Sequence, residues 1–200
     1  MNDEQDLIHA RSQTPAEAPK PPEGATLNYV SRFTMKDGTE VTLRPIRPDD
    51  EPLMVQFHQT LSDRTVYMRY FCSLPLRARV AHDRLVQICF VDFKEQFALV
   101  ADHQVPATGE HHILGVGRLM KVPSKDETEV ALLVSDQCQG QGLGAELLRR
   151  AVAIARATNL HRISAEMLQD NLAVLSVFKS AGFRLSPVAG DSSIAAVLDL

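Results

Sequence analysis

Apolar residues recur along the chain at two spacings, and the spacing separates predicted strands from predicted helices. Alternating or short continuous apolar runs predict strands at residues 39–46, 96–101, 113–122, 129–135, 163–167, 183–185 and 194–198. Asp37 and Gly38 predict a turn before the first strand. Residues 102–112 are expected to form the loop that joins the second strand to the third.

Apolar residues three to four positions apart predict helices over residues 63–71, 80–90, 143–157 and 171–181. A further helix is expected to begin at Pro48, because acidic residues follow it and negative charge suits the first turn of a helix. Gly182 is expected to end the last helix. The order of these elements predicts an α/β (α+β) fold in which helices flank a central sheet.

The first 27 residues differ in composition from the rest of the chain. They hold four prolines, no aromatic residue and a net negative charge. Such a stretch cannot bury enough apolar surface to offset the entropy that ordering would cost. We therefore expect residues 1–27 to form a disordered acidic tail and residues 28–200 to form one domain.

Composition narrows the functional class. The net charge is −4, with 44% apolar and 23% charged residues, which is typical of a soluble globular protein. A slightly acidic chain does not suit general nucleic-acid binding, and no apolar run is long enough to span a membrane. No secretory signal is visible and the three cysteines are too few for a disulfide framework, so we expect a cytoplasmic protein with reduced thiols.

A glycine-rich turn, Gln-Gly-Gln-Gly-Leu-Gly at residues 139–144, connects a predicted strand to the clearest predicted helix. Glycines let a backbone approach a ligand closely, and the N-terminus of a helix adds partial positive charge. Together they predict a cradle for phosphate or pyrophosphate. Ala145 and Glu146 follow the turn, which excludes a P-loop, and only the weaker form of the dinucleotide motif is present. A purely structural turn is the alternative interpretation.

The turn matches Q/R-x-x-G-x-G/A, the acetyl-CoA pyrophosphate motif of the GNAT acetyltransferase superfamily, which this chain resembles. Residues 171–183 resemble the helix N-x-x-A-x-x-x-Y-x-x-x-G-F of the same superfamily, with Val174 in place of the usual alanine. Residues 41–53, 61–71 and 91–101 are similar to the GNAT domain of bacterial protein lysine acetyltransferases that control acyl-CoA synthetases. The resemblance covers about residues 29–185.

The resemblance implies a GNAT fold with a mixed, mostly antiparallel central sheet, and acetyl-CoA as the cosubstrate. It implies that the cosubstrate contacts the end of one strand, the glycine turn and the start of a later helix, namely Leu133, Val134, Gln139, Gly140, Gln141, Gly142, Leu143, Gly144 and Asn171. A backbone N–H at about Leu133 or Val134 would polarise the thioester carbonyl, and the sequence does not choose between them. Asn171 can also cap the helix that it begins.

Transfer of an acyl group to an amine needs a proton acceptor, because a lysine with a pKa of about 10.4 is almost fully protonated at neutral pH. Glu129 is the candidate, since it is a carboxylate on an otherwise apolar strand and shares a face with Ala131 and Leu133. The resembling enzymes place their base glutamate at this position. An exposed edge charge is the alternative, and Glu127, expected in a loop, is the second candidate base.

Phe178 stands where the superfamily usually has the tyrosine that protonates the departing thiolate. Phenylalanine has no proton to donate. Solvent is therefore expected to protonate the thiolate, with Ser176 as the side-chain alternative. His103, His111 and His112 are interpreted as a polar hairpin tip, so no metal site is predicted.

The favoured hypothesis is a cytoplasmic acetyl-CoA-dependent N-acyltransferase that acetylates protein lysines by direct attack within a ternary complex. An acyl-CoA synthetase is the expected kind of partner, and neither nucleic acid nor a membrane is expected. The alternatives are a small-amine acetyltransferase and a non-catalytic acyl-CoA-binding module. Arginines in the predicted helices near residues 63–90 suit a solvated face or a basic rim that docks an acidic protein patch, namely Arg64, Arg69, Arg77, Arg79 and Arg84.

Overall fold

The computed structural model describes residues 29–90, 95–123, 125–158 and 160–200; residues 1–27, predicted to form a tail, lie outside them. The described strands are β1 Ser31–Thr34, β2 Glu40–Pro45, β3 Gln96–Gln104, β4 His111–Lys121, β5 Glu127–Val134, β6 Arg162–Leu168, β7 Arg184–Pro187 and β8 Ser193–Asp199. The described α-helices are α1 Glu51–Gln59, α2 Asp63–Tyr70, α3 Leu76–Arg79, α4 His82–Cys89, α5 Leu143–Ala157 and α6 Leu172–Ser180, and short 3₁₀ helices lie at Pro48–Asp50 and Asp136–Cys138.

All described strands belong to one mixed sheet in the order β1-β2-β3-β4-β5-β6-β8-β7. Neighbouring strands are antiparallel except β5 and β6, which run parallel and are connected through α5. A parallel pair needs such a crossover connection, whereas antiparallel pairs need only short turns. The predicted mixed, mostly antiparallel sheet flanked by helices is confirmed.

The sheet forks between β5 and β6. These strands pair only where Glu127, Thr128 and Glu129 face Arg162, Ile163 and Ser164. Beyond that point β5 stays paired with β4 as far as Val134, while β6 stays paired with β8 as far as Leu168. The two strands therefore diverge toward their C-terminal ends and leave a gap inside the sheet.

Helices cover both faces of the sheet, and each face has its own apolar core. One core packs α5 and α6 against strand residues such as Val130 and Ile163. The other packs α1, α2 and α4 against residues such as Val116 and Leu133. Alternate residues of β5 contribute to opposite cores, as the two-residue period of a strand requires.

A buried ion-pair network fixes the start of α1 against β2 and β3. The Arg44 guanidinium donates to both carboxylate oxygens of Asp50, at 2.7 and 2.8 Å, and to Asp102 at 2.9 Å. All three side chains are buried, and the two carboxylates raise the pKa of Arg44 against the opposing effect of its burial. Removing one partner would leave a buried charge uncompensated, so this network holds the helical layer in register with the sheet.

Two predicted boundaries are wrong at the β3–β4 and β4–β5 hairpins. The loop expected at residues 102–112 is shorter, because His103 pairs with His112 and Gln104 pairs with His111. Glu127 is part of β5 and not of a loop, and its carbonyl accepts a hydrogen bond from the Val122 N–H. Inter-strand pairing extends these strands into polar sequence, which local composition does not reveal.

The predicted helix over residues 80–90 is also wrong in extent. Helix α4 begins at His82, and a separate short helix, α3, precedes it. Ala81 is extended and starts α4, so the chain turns between the two helices. Strand β1 was not predicted, because its four residues alternate only between partly buried and exposed positions.

Candidate active site

The gap between β5 and β6 opens into a cleft of about 800 Å³. Its walls are the C-terminal half of β5, the facing residues of β6, the start of α5, the first turns of α6 and one side of α2. A volume of that size suits a large cofactor or cosubstrate. The cleft also brings together residues predicted from separate parts of the sequence, including Glu129, Gly142 and Asn171.

The glycine turn forms one end of the cleft. Gly140 and Gly142 have φ angles of 75° and 89°, a left-handed conformation that favours glycine. Gly142 directly precedes α5, and its carbonyl accepts from the Glu146 N–H. The N–H groups of residues 143–145 precede the first intrahelical hydrogen bond of α5, which the Glu146 N–H donates. These N–H groups at a helix N-terminus fit a pyrophosphate, and with the gap beyond them they fit acetyl-CoA.

Gly144 differs from the two preceding glycines, because it lies inside α5 and has no positive φ. A Cβ atom there would lie 3.8 Å from Val134, which is ordinary van der Waals contact. The fold itself therefore tolerates a side chain at Gly144, and the glycine leaves space on the cleft side. Leu143 is fully buried and anchors the first turn of α5 in the core.

Gln139 points back toward the protein and supports the turn. Its side-chain amide donates to the Val134 carbonyl at 3.3 Å, to Asp136 at 3.2 Å and to the Thr65 hydroxyl at 3.1 Å. The Gln141 carbonyl accepts from the Lys36 N–H at 3.1 Å. The cradle is thus held from both sides, by β5 and α2 on one and by the β1–β2 turn on the other.

Glu129 lies at the fork, as the last residue of β5 that pairs with β6. Its side chain is exposed, lines the cleft and has no hydrogen-bond or ion-pair partner among the described residues. Glu127 is half-buried and does not line the cleft. A carboxylate that faces the gap without a partner is available to accept a proton, which favours Glu129 over Glu127.

The strand register distinguishes the two candidate N–H groups for the carbonyl oxygen. The Ser135 N–H donates to the Leu114 carbonyl on β4, and Leu133 lies opposite Val116 on that strand. Hydrogen-bonded pairs alternate along an antiparallel ladder, so the Leu133 N–H also points to β4. The Val134 N–H consequently points toward the gap, on the side from which Gln139 reaches the Val134 carbonyl.

Asn171 lines the cleft and caps α6, since its side-chain oxygen accepts from the Val174 N–H at 3.4 Å. Its amide N–H groups have no partner among the described residues. Phe178 is buried, and its ring packs edge-on against Phe183 with centroids 4.9 Å apart. Ser176 is exposed and does not line the cleft, which leaves solvent as the favoured proton source.

Three further charged residues line the cleft. Lys36 follows β1 and lies beside the glycine turn, where its charge would attract phosphate. Glu166 on β6 adds a second carboxylate, which accepts from the Ser193 hydroxyl. Asp136 joins α2 to the glycine turn. The chemistry of each depends on its neighbours in the fold, so the sequence carried no local signal for it.

The hairpin histidines have ordinary hydrogen-bond partners. The Nδ1 atom of His111 lies 2.8 Å from Asp102, and that of His103 lies 2.9 Å from the Glu40 carbonyl. Within the described ranges, no three His, Cys, Asp or Glu side chains converge as a metal site would require. No helix in that part of the chain is both long and apolar enough to cross a membrane.

The acetyltransferase (GNAT) domain family matches residues 40–184 of this chain. That match spans well over half of the sequence and includes the forked strands, the glycine turn and α6. The chain therefore belongs to the GNAT acetyltransferase family, which transfers an acetyl group from acetyl-CoA. The predicted acetyltransferase class and its cosubstrate are confirmed.

Three known proteins are similar to this chain over most of its length. It is 27% identical over 150 residues to the acetyltransferase PA5475 of Pseudomonas aeruginosa, a match covering 75% of this chain and 78% of that protein. It is 25% identical over 150 residues to the acetyltransferase Pat of Mycolicibacterium smegmatis, which covers 74% of this chain but 42% of that protein. The GNAT domain of S. lividans PAT has a TM-score of 0.75 at 27% identity, over 86% of this chain and 97% of that one.

Proposed function

We propose that this protein acetylates lysine side chains of other proteins by direct transfer from acetyl-CoA, with Glu129 as the general base. The observation that carries the proposal is the position of Glu129, whose exposed carboxylate faces the gap between β5 and β6 and has no partner among the described residues. The cytoplasm is the proposed site of this reaction.

Each group of cleft residues has a separate task in the proposed reaction. The N–H groups of residues 143–145 hold the pyrophosphate, and acetyl-CoA supplies an activated acetyl thioester. Glu129 removes a proton from the acceptor ammonium, directly or through one water, so that the neutral amine can attack. The Val134 N–H stabilises the negative charge that develops on the carbonyl oxygen.

The transfer is proposed to proceed without an acetylated enzyme. Cys138 is the cysteine that lines the cleft, and burial raises the pKa of its thiol. A protonated thiol is a poor nucleophile, so an acyl-cysteine intermediate is disfavoured. Ser176 lies away from the cleft and Phe178 cannot donate a proton, so solvent protonates the departing thiolate.

A protein acceptor is favoured by the character of the surface beside the cleft. Tyr67 and Phe71 are 48% and 39% exposed on and just after α2, which forms one wall of the cleft. Exposed aromatic side chains next to arginines are typical of protein-binding surfaces. The resemblance of residues 41–53, 61–71 and 91–101 to bacterial protein lysine acetyltransferases supports the same choice, and an acyl-CoA synthetase is the proposed kind of partner.

Mass spectrometry of a native lysate tests the proposal. The lysate is incubated with the protein and isotopically labelled acetyl-CoA, and an E129Q variant serves as the matched control. We expect labelled lysines that depend on the wild-type protein. Label confined to small amines would favour the small-molecule alternative, and acetyl-CoA binding without any transfer would favour the non-catalytic module.

A further inference from the structure

Three arginines meet on the sheet face that carries Glu129. The guanidinium carbons of Arg69 and Arg84 each lie 5.0 Å from the centre of the Tyr70 ring. Burial, with Arg69 and Arg84 close by, lowers the pKa of Arg118. None of the three has a carboxylate within ion-pair distance among the described residues. This arginine cluster of Arg69, Arg84 and Arg118 therefore gathers positive charge without a counter-charge in the part of the chain that the structure describes.

A small cavity of about 30 Å³ lies against the cluster. Arg69, Tyr70, Arg118 and His58 contribute to its walls. His58 is 1% exposed, and neither of its ring nitrogens has a hydrogen-bond partner in the described part of the chain. The Nε atoms of Arg84 and Arg118 are likewise buried without partners there. Buried polar atoms normally have partners, so these groups are prepared for a ligand that accepts hydrogen bonds.

His58 adds a neutral donor to this site. Its burial, with Arg84 and Arg79 nearby, lowers the pKa of His58 to about 4. The ring is therefore neutral at physiological pH and carries one N–H group. An anion bound to the arginines would accept hydrogen bonds and also relieve the repulsion among the like charges.

The arginine cluster adjoins the proposed reaction centre. Arg118 lies opposite Ala131 on β5, and Met120 lies opposite Glu129. Arg118 is thus a diagonal neighbour of Glu129 on one face, with about 7–8 Å between such residues. Arg69 lines both the small cavity and the main cleft. The cluster consequently lies near Glu129, where the acceptor lysine would bind, which we call the acceptor side of the cleft. The N–H groups at the start of α5 remain available for the pyrophosphate.

We propose that the arginine cluster binds the carboxylate of an acidic residue next to the acceptor lysine. The inference rests on the proposed function and narrows its substrate class to lysines in acidic segments. A cavity of about 30 Å³ has room for about one small group, such as the carboxylate at the end of an acidic side chain. Arginine suits this task because its planar fork binds a carboxylate through two hydrogen bonds.

Two matched peptides test the preference. Each contains one lysine, flanked by glutamates in the first peptide and by glutamines in the second. For the wild-type protein we expect a KM about tenfold or more lower for the acidic peptide, since charge-assisted hydrogen bonds are lost in the other. R84Q should reduce that preference and leave the KM for acetyl-CoA unchanged, because Arg84 does not line the main cleft. R77Q removes an exposed arginine of α3 outside the cluster and should behave as wild type.

Anion binding is measured separately, so that failure of the proposed function is distinguishable. Calorimetry with sodium sulfate is performed on protein saturated with CoA, which occupies the phosphate cradle. We expect sulfate to bind the wild type and R77Q, and to bind R84Q and R118Q at least tenfold more weakly. If this pattern holds but no peptide is acetylated by wild-type protein, the proposed function fails while the anion site stands.

Three results would overturn the inference. If the wild type bound sulfate but had equal KM values for the two peptides, the cluster would bind a free anion and not an acidic side chain of the substrate. No sulfate binding and no peptide preference would remove the site altogether. Asp92 lies outside the described residues, so the titration includes D92N. Sulfate binding that appears only in D92N would mean that a carboxylate of this chain fills the cluster.

Discussion

Glu129 is the residue on which the proposed proton transfer depends. In a Glu129→Gln variant the side chain keeps its shape but cannot accept the ammonium proton. We expect turnover to fall by about 10²–10⁴-fold. Affinity for acetyl-CoA and the melting temperature should stay unchanged, because the carboxylate has no partner among the described residues. Raising the pH should partly restore the rate, since more of the acceptor lysine is then already neutral.

A pH–rate profile at saturating acetyl-CoA measures this effect. Glu127→Gln is the matched control, because Glu127 lies on the same strand but does not line the cleft. That variant should keep the wild-type profile. If Glu129→Gln retained more than about a third of the wild-type rate at pH 7, Glu129 would not be the general base.

At the scale of single residues, the sequence provided a candidate where the signal is local. Glu129 stood out because a carboxylate interrupts an apolar strand, and its place at the fork agrees with that interpretation. The sequence could not show whether the N–H of Leu133 or of Val134 faces the thioester carbonyl, because the direction of an N–H group depends on the register with β4. His58 and Arg118 gave no signal either, since their burial results from packing between distant elements.

The glycine turn is the element whose geometry most directly sets cosubstrate binding. Replacing Gly142 with alanine or valine would strain its positive φ and place a Cβ atom 3.7 Å from Phe33 and 4.0 Å from Lys36, beside the cradle. We expect acetyl-CoA binding to weaken at least tenfold for Gly142→Val, or by about 1.4 kcal/mol. Isothermal titration calorimetry measures the change.

Gly190 provides a control for backbone strain. Its φ of 79° resembles that of Gly142, and its position is an exposed turn outside the cleft. A Gly190→Val variant should therefore lose stability through the same kind of strain and keep its affinity for acetyl-CoA. Equal loss of affinity in the two variants would mean that general destabilisation, and not the cradle, explains the effect.

A second element-scale prediction concerns the connection between α2 and the glycine turn. Asp136 accepts hydrogen bonds from the Ser62 N–H at 2.6 Å and from the Thr65 hydroxyl at 2.6 Å, and Gln139 donates to the same carboxylate. In Asp136→Ala these donors lose their shared partner, which typically costs about 1–3 kcal/mol. We expect a lower melting temperature and a higher KM for both acetyl-CoA and the acceptor.

Asp191 supplies the comparison for Asp136. It accepts a hydrogen bond from the Ser192 N–H in an exposed turn and does not line the cleft. Asp191→Ala should change neither KM. If Asp136→Ala raised the KM for acetyl-CoA alone, the carboxylate would support the cradle without linking it to the acceptor side.

Most elements were predictable from spacing, but their ends were not. The α5 helix matches its predicted range because its buried leucines repeat along one face. The β3–β4 hairpin was predicted with too long a loop, since pairing of His103 with His112 continues the ladder through polar residues. Strand ends are set by partners on other strands, and a single sequence does not display those partners.

At the scale of the whole molecule, function depends on a feature that no single segment encodes. The fork arises because β5 continues along β4 while β6 continues along β8. Each of these strands follows its antiparallel partner, so the parallel pair between them opens. The resemblance of short motifs to the GNAT superfamily implied its fold. The spacing of apolar residues by itself predicted no more than a central sheet flanked by helices.

The free energy of unfolding of the protein should depend on pH because of the buried His58. Its pKa is about 4 in the folded state against 6.5 for an ordinary histidine. Between these values the unfolded chain binds a proton that the folded protein excludes. Stability should therefore fall as the pH decreases from 6.5 to 4, by at most about 1.4 kcal/mol for each pH unit. Above pH 6.5 His58 is neutral in both states, so its contribution no longer changes.

Urea unfolding of the wild type and a His58→Leu variant, at a series of pH values, measures this contribution. The free energy of unfolding of each protein also includes carboxylates such as Glu146, whose pKa is lowered by Arg149 and Arg150 against the effect of its burial. Those groups are common to both proteins, so the difference between the two curves isolates His58. The difference should change between pH 6.5 and pH 4 and be constant above that range.

Buffers must lack sulfate and phosphate, because an anion in the arginine cluster would favour the protonated ring. Parallel curves would show that His58 is protonated equally in both states, and its burial among arginines would then require another explanation.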